Sequence, residues 1–404
     1  MSGLFSIKPF WREHELKPVY DVVIIGGGAH GLATAYELVS KHGVKRVAVL
    51  EKSYIGAGGS GRNTTIIRAN YKTPEGIAFY GESMKIWKQL SQELDFNLLI
   101  STHGHLTLAH SERSVAVQRE RAEANQLMNV NSRWVEPNEV AQICPQLNLS
   151  RDVAYPIMGA LYHPPGAVVR HDAVVWGYAR RADQGGAEIH QGVEVTGLQI
   201  EHGRCTGVQT NKGPISAGTV MSAVAGWTTQ ITDMAGLELP ITNHPLQAFV
   251  TEPVKPLLSK IIVSAGLHVY VSQTDRGEFL IGAEIEPYTT YNTRSTYTFL
   301  EHGAHNALEL MPFLSRLKIL RQWTGYCDMT PDYSPIMGVV DGVKGFVLDV
   351  GWGTWGFKAG PVAGKRTAEL IATGRTPDLI HPFRLSRFYE NALVGEKAAA
   401  SVSH

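Results

Sequence analysis

The chain has 404 residues, 44% of them hydrophobic and 18% charged, with 37 basic and 37 acidic side chains. That length predicts two or three domains, or two interleaved ones, with a core large enough to need no staples. The composition excludes a disordered or fibrous chain, and the zero net charge argues against a nucleic-acid or membrane-surface binder, which needs a basic excess.

Glycine is the outlier. There are 41 glycines, about a tenth of the chain against roughly 7% on average. Either the chain is rich in loops, or its backbone approaches something closely at several places. Cys144, Cys205 and Cys327 are far apart, odd in number and without a Cys-x-x-Cys spacing, which predicts buried apolar thiols rather than disulfides or zinc. Residues 1–18 are charged and lack an apolar stretch, so they do not read as a signal peptide. No run of 18 apolar residues occurs, so no transmembrane helix is expected. A soluble, cytoplasmic protein is the expectation.

In chain order, residues 22–25 form an apolar run that ends in three glycines, which predicts a buried strand and a tight turn. Residues 30–42 have helical spacing, and 46–50 read as a second buried strand. Together they make a strand–helix–strand unit. A Gly/Ser loop covers 57–62. Helices are predicted at 75–97 and 112–128, with an alternating strand at 105–110 between them. A helix at 171–184 precedes a meander over 193–225, punctuated by Gly203, Gly207, Gly213 and Gly218. Further strands are predicted at 244–253 and 268–286, the latter a hairpin turning at 274–277. A helix at 295–310, a buried strand at 345–350 and a final helix at 359–372 complete the pattern. Buried strand–helix signals at both ends, with antiparallel signals between, predict one domain built from both ends and a second inserted into it.

Gly26, Gly28 and Gly31 fit G-x-G-x-x-G between that first strand and helix, and Glu51 ends the next strand. Each position has a physical reason. Gly26 permits the turn, Gly28 lets the backbone approach a pyrophosphate, and Gly31 lets helix and strand pack closely. The helix N-terminus offers free N–H groups to phosphate, and Glu51 can accept from a ribose diol. A polar loop, Ser60, Gly61, Arg62 and Asn63, follows. Two more glycine sites stand at Gly226–Trp227 and at Gly351, Gly353 and Gly356. A long FAD would touch all three sites, whereas an NAD-dependent dehydrogenase typically needs only the first.

These residues resemble the amino-acid oxidase and sarcosine oxidase flavoprotein superfamily. Thr65-Ile66-Ile67-Arg68, Val169-Arg170-His171-Asp172-Ala173, the run from His268 to Gln273 and the run from Gly351 to Lys358 narrow the resemblance to the beta subunits of heterotetrameric sarcosine oxidases. It covers essentially the whole chain. It implies an α/β fold: an FAD-binding Rossmann-like domain (19–75, 155–235 and 325–385) and an inserted α+β substrate domain on an antiparallel sheet (76–154 and 236–324), with terminal extensions at 1–18 and 386–404. It implies a catalytic flavoprotein subunit that oxidises sarcosine by hydride transfer to a non-covalent FAD. Electrons would pass to a covalent FMN and then to oxygen, giving peroxide, glycine and a one-carbon unit for tetrahydrofolate. The implied partners are a large alpha subunit and small gamma and delta subunits, with no nucleic acid and no membrane.

The resemblance also implies roles for residues. FAD contacts would come from Gly26, Gly28, Ala29, His30, Gly31, Glu51, Lys52, Ser60, Arg62, Asn63, Thr64, Val195, Gly226, Trp227, Gly353, Thr354, Gly356 and Lys358. FMN would be linked to His171, with His163 as the fallback. Arg68, a cation in an apolar context, wants an anion, and with Lys358 it would clamp one substrate carboxylate. His268 and Tyr270, two apart on a predicted strand, would share one face and shape an amine pocket. Thr65 stands where single-subunit relatives carry an arginine over the flavin. Asp328 lies in a segment that the resemblance puts near the flavin. Trp352 and Trp355 read either as neighbours of the flavin ring or as subunit-interface residues. His103 and His105 are spaced like a metal pair but have no further ligand nearby, so no metal site is expected. The rival readings are an N-methylglutamate or other secondary-amine dehydrogenase on the same scaffold, and a flavin electron-transfer subunit without its own substrate.

Overall fold

A computed structural model describes residues 9–396 of the chain. Among the described residues, two eight-stranded sheets carry the fold. The first is built on the parallel strands Val19–Ile25, Val47–Glu51, Glu188–Gln191 and Val343–Val350, together with Gly213–Ser222. Its central strands are apolar on both faces, as a strand covered on two sides must be. Val22 and Ile24 face the helices Ala29–Ser40, His171–Gly185 and Gly356–Thr373, while Val23 and Ile25 face the opposite core with Val208, Val220 and Phe346. The meander Val195–Glu201, Arg204–Thr210 and Gly213–Ser222 is antiparallel and extends the same sheet.

The second sheet runs Ile319–Met329, Thr242–Thr251, Phe279–Ile285, Val269–Gln273, Ile261–Ser264, His105–Ala109, Gly159–His163 and Arg133–Val135. It is antiparallel except where Ile261–Ser264 runs parallel to His105–Ala109. The helix Tyr297–Leu310 covers its apolar face through Phe299, Ala307 and Leu310. The hairpin predicted at 268–286 is present, as Val269–Gln273 paired with Phe279–Ile285. A small three-stranded sheet, Ile66–Ile67, Ala167–Val168 and Ser101–Thr102, stands apart from both.

The predicted α/β class with its second, largely antiparallel sheet is the observed one, but the predicted domain limits do not follow the sheets. Helix Pro74–Glu93 packs through Ile77, Phe79, Trp87 and Leu90 into the first core, although 76 onward was assigned to the substrate domain. Strand Gly159–His163 pairs with His105–Ala109 in the second sheet, although 155 onward was assigned to the FAD domain. Ile319–Met329 is one continuous strand across the predicted limit at 324/325, with no apolar alternation to announce it. The final helix begins at Gly356, three residues earlier than its apolar spacing predicts.

The C-terminal segment is no free extension. Arg387 is fully buried and grips Asp332 through two bonds of 2.8 and 2.9 Å. Glu396 accepts from the backbone N–H groups of Lys72 and Thr73 at the start of helix Pro74–Glu93. Of the two predicted extensions, residues 1–8 and 397–404 lie outside the described residues. Cys144, Cys205 and Cys327 are buried free thiols, as predicted.

Candidate active site

The first glycine turn stands where strand Val19–Ile25 meets helix Ala29–Ser40. Gly26 holds φ at 109°, and a Cβ there would lie 2.6 Å from the Ala223 carbonyl. A Cβ on Gly31 would lie 2.1 Å from the Gly26 carbonyl, so only glycine lets this helix approach its strand. Glu51 accepts from Gly27 N–H and Ser53 N–H, both at 2.9 Å, which fixes its carboxylate at the strand end. Ser60 Oγ accepts from Ala29 N–H at 2.9 Å. Gly26, Gly28, Ala29, Glu51, Ser53 and Ser60 line a groove of about 330 Å³, together with Lys52, Arg62, Asn63, Val195, Trp227, Gly353 and Gly356. The Lys52 ammonium stands 4.2 Å from the Trp227 ring centre.

Two buried carboxylates support the far end of the groove. Asp328 accepts from Gly351 N–H at 2.7 Å and Gly353 N–H at 3.1 Å, and so shapes the third glycine turn from beneath. Burial pushes its carboxyl up to about 6, against the pull of those N–H groups. Asp349 accepts from the Trp352 indole at 2.7 Å and lies 3.0 Å from His30.

A second cavity, of about 270 Å³, adjoins the groove. Gly59, Arg62, Asn63, Tyr326 and Gly353 line both. The second cavity is also lined by Arg68, Lys72, Arg121 and Lys358, and among the described residues no Asp or Glu lines it. Arg68 donates to the Asn70 carbonyl and side-chain oxygen at 3.1 and 2.9 Å and stands 4.6 Å from the Tyr71 ring centre. Arg121 donates to the same Asn70 carbonyl at 2.7 Å. Lys358 lies in the first turn of the final helix and donates to the Thr354 carbonyl at 3.2 Å. Burial, then the charge of Arg68, pushes the Lys358 ammonium down to about 7. Burial also holds His105 well below the usual histidine range, so its ring is neutral.

Tyr270 lies in the wall of this cavity, its hydroxyl pushed up to about 12 by burial. His268 lines the cavity too, but it precedes strand Val269–Gln273 in a turn, with φ at 48°. The two residues therefore meet through that turn and not through strand alternation. Thr65, Ala225 and Tyr333 also hold positive φ, at 60°, 47° and 59°. For a β-branched residue such as Thr65 this is costly, and strain of this kind gathers at functional sites.

The remaining predicted residues separate. Thr64, Thr354 and Lys358 line the second cavity rather than the groove, and Gly31 serves helix packing. Gly226 lies in a different pocket, its Cα against Tyr326. His171 lines neither cavity. It opens helix His171–Gly185 beside the Arg170–Asp172 ion pair. His163 is 1% exposed and both ring nitrogens are engaged, one with the Asn131 carbonyl and one with Ala69 N–H, which leaves none for a covalent link. Trp352 and Trp355 are buried against His30 and Tyr71, so they are not interface residues in this fold. Among the described residues no cluster of three or more potential ligands is placed to hold a metal.

The sequence reading missed Arg121, Asn70, Asp349 and Glu396. Arg121 carried one available signal. Helix Glu112–Leu127 buries Gln118, Arg121, Ala122 and Asn125, a stripe at helical spacing that is polar rather than apolar.

The FAD dependent oxidoreductase family matches residues 21–370. The chain belongs to that family. It is 43% identical to the sarcosine oxidase subunit beta of an Arthrobacter species over 100% of both chains. It is likewise 43% identical to the subunit of that name from Rhodobacter capsulatus, over 98% of this chain and 94% of that one. Among solved structures, L-proline dehydrogenase from P. horikoshii superposes with a TM-score of 0.87 at 30% identity, over 94% of this chain and 100% of that one.

The geometry fits the cofactor of an FAD-dependent oxidoreductase. A Cβ on Gly28 would meet Ser60 Oγ at 3.1 Å, so the first turn has room for a phosphate only while it stays bare. The Thr354 hydroxyl is buried without a hydrogen-bond partner among the described residues, beside the junction of the two cavities. Gly26, Gly28 and the start of helix Ala29–Ser40 can hold the diphosphate and Glu51 the ribose. Gly59, Arg62, Asn63, Tyr326 and Gly353, where groove and cavity meet, would hold the flavin end. When bound, FAD supplies the hydride acceptor, and the chain supplies orientation and charge. No helix among the described residues is long and apolar enough to cross a membrane.

Proposed function

We propose that the chain is the catalytic subunit of an amine oxidase complex and oxidises an N-methyl amino acid, with sarcosine as the substrate. One observation carries the reading: the cavity that adjoins the FAD groove gathers Arg68, Lys72, Arg121 and Lys358 in one wall. A small zwitterion brings its own carboxylate to such a wall. Arg68 offers a planar fork for it, and Lys358 a point charge. Full-length similarity to sarcosine oxidase beta subunits supports the choice of amine.

The chemistry needs a neutral amine, because the nitrogen lone pair assists loss of hydride from the methyl carbon. Lys358, pushed down to about 7, exchanges a proton near neutrality and suits the removal of the ammonium proton. His268 and Tyr270 bound the amine side of the cavity. The product is an iminium, which releases glycine and a one-carbon unit after capture by water or tetrahydrofolate. The first sheet with its helices serves as the FAD-binding domain, and the second as the substrate domain.

The reading extends to a second flavin and to partners. His171 is half-buried at a helix start, and Arg170, Arg321 and Arg276 add positive charge around it, a setting that suits a covalently held FMN with its phosphate. Alpha, gamma and delta subunits would cover that face, and the complex would work in the cytoplasm with oxygen as the final acceptor. His171→Ala is then expected to lose the acid-stable flavin and keep the FAD.

The deciding experiment adds sarcosine to the holoenzyme without oxygen. Bleaching of the bound FAD is expected, and an unchanged spectrum would overturn both the substrate and the catalytic role. One observation favours a second reading. Arg121 is a further buried cation in the same wall, and it suits the side-chain carboxylate of a larger substrate such as N-methylglutamate. A kcat/KM higher for N-methylglutamate than for sarcosine would select it.

A further inference from the structure

His30 occupies a variable position of the glycine turn, in the wall of the groove, between that turn and the start of helix Gly356–Thr373. Both of its ring nitrogens face oxygen. Nε2 lies 2.7 Å from the Gly356 carbonyl and Nδ1 lies 3.0 Å from Oδ2 of Asp349. A carbonyl oxygen only accepts, so Nε2 carries a proton. Asp349 is 1% exposed, and its other oxygen already accepts from the Trp352 indole. As a carboxylate it also only accepts, so Nδ1 carries a proton as well. A neutral ring would aim a lone pair at one of the two oxygens. Burial opposes the charge, but the charge and hydrogen bond of Asp349, the Gly356 carbonyl and the charge of Asp328 outweigh it and raise the pKa of His30. Asp349 and Asp328 are the charged groups that act on the ring.

We propose that His30 is an imidazolium, balanced by Asp349, that tunes the reduction potential of FAD bound in this groove. Reduction adds negative charge to the flavin. A fixed cation in the wall favours that charge, and the adjacent helix N-terminus adds to it with the same sign. His30 is a positioning residue here, since its nitrogens are spent inside the protein. The inference rests on FAD binding and not on the identity of the amine, so its tests use no substrate.

Nitrogen NMR of the histidine-labelled holoenzyme reads the ring directly. Both His30 nitrogens are expected to stay protonated above the ordinary histidine midpoint. A ring with one bare nitrogen at pH 8 would overturn the imidazolium. Potentiometry of the non-covalent FAD tests the tuning. His30→Gln can keep a donor to Gly356 but leaves Asp349 unbalanced. It is expected to shift the reduction equilibrium at least tenfold toward the oxidised form, about 30 mV for a two-electron couple. His30→Gln with Asp349→Asn is expected to recover part of that shift, the unrecovered part being what the His30 cation itself contributes. An unchanged potential in the single variant, or no recovery in the double, would overturn the tuning. Should the single variant lose its FAD, the NMR measurement on the wild-type protein still decides the protonation state.

Discussion

The groove and the cavity beside it share five lining residues and are built in opposite ways. The groove closes on bare backbone at Gly26 and Gly28, at the turn through Gly58 and Gly59, and at the strand end of Ala223 and Val224, with charged side chains such as Glu51, Lys52 and Asp349 set around those turns. The cavity is walled by long side chains, with Arg68, Arg121, Tyr270 and Lys358 arriving from widely separated parts of the chain. A wall of bare backbone cannot accept an added atom. A wall of long side chains has volume to give, yet each cation buried in it has to be offset by hydrogen bonds or opposite charge. One region recognises by closeness and the other by charge.

Substitutions can break or sharpen this contrast, and the largest effect is expected where the glycine turn behind the groove packs against its helix. Gly31→Val places a side chain where even a Cβ would lie 2.1 Å from a backbone oxygen. The variant is expected to purify without FAD, as judged by flavin absorbance per chain. Full flavin content would show that the turn tolerates volume after all. The next effect belongs to the cavity. Arg68→Ala is expected to keep its FAD while the KM for sarcosine rises roughly 10- to 100-fold, the scale of a lost hydrogen bond to a charged group, about 1.5–3 kcal/mol. Loss of FAD in this variant would mean that the two regions are not separable.

The smallest effect is a pH dependence. Lys358 is charged below about 7 and neutral above it. Binding of a simple carboxylate such as acetate, followed through the flavin spectrum, is expected to be tightest below that point. It should weaken by up to about tenfold per pH unit above it, until the residual affinity from Arg68 remains. In Lys358→Met the profile is expected to be flat at that residual affinity. A wild-type slope in the variant would assign the titration to another group.

The same contrast explains what could be read from the sequence. The glycine turn, its helix and Glu51 lie within about 30 consecutive residues, so spacing alone exposes them. The cavity has no such local signature. Arg121 sits on a helix whose buried stripe is polar, and a polar stripe reads as a solvent face. Strand Ile319–Met329 carries the sequence ILRQWTGYCDM, in which neither alternation nor a continuous apolar run stands out. Asp349 ends an apolar strand and gives no hint that His30, 319 residues earlier, is its partner. Arg68 stood out as a cation in an apolar run, but its pairing with Lys358 was legible only through resemblance, because the approach of their segments is purely tertiary.

The tie between Glu396 and the backbone of Lys72 and Thr73 spans up to 324 residues, and that between His30 and Gly356 spans 326. During synthesis the glycine turn therefore emerges early and waits for nearly the whole chain. At about 5–20 residues per second, a chain of 404 residues takes roughly 20 to 80 s to make. Throughout that time the first sheet lacks the strand Val343–Val350 and the final helix that cover it. Pairings of such long range fold slowly and leave apolar edges exposed. The late elements Val343–Val350 and Gly356–Thr373 thus close the groove that the first glycine turn began.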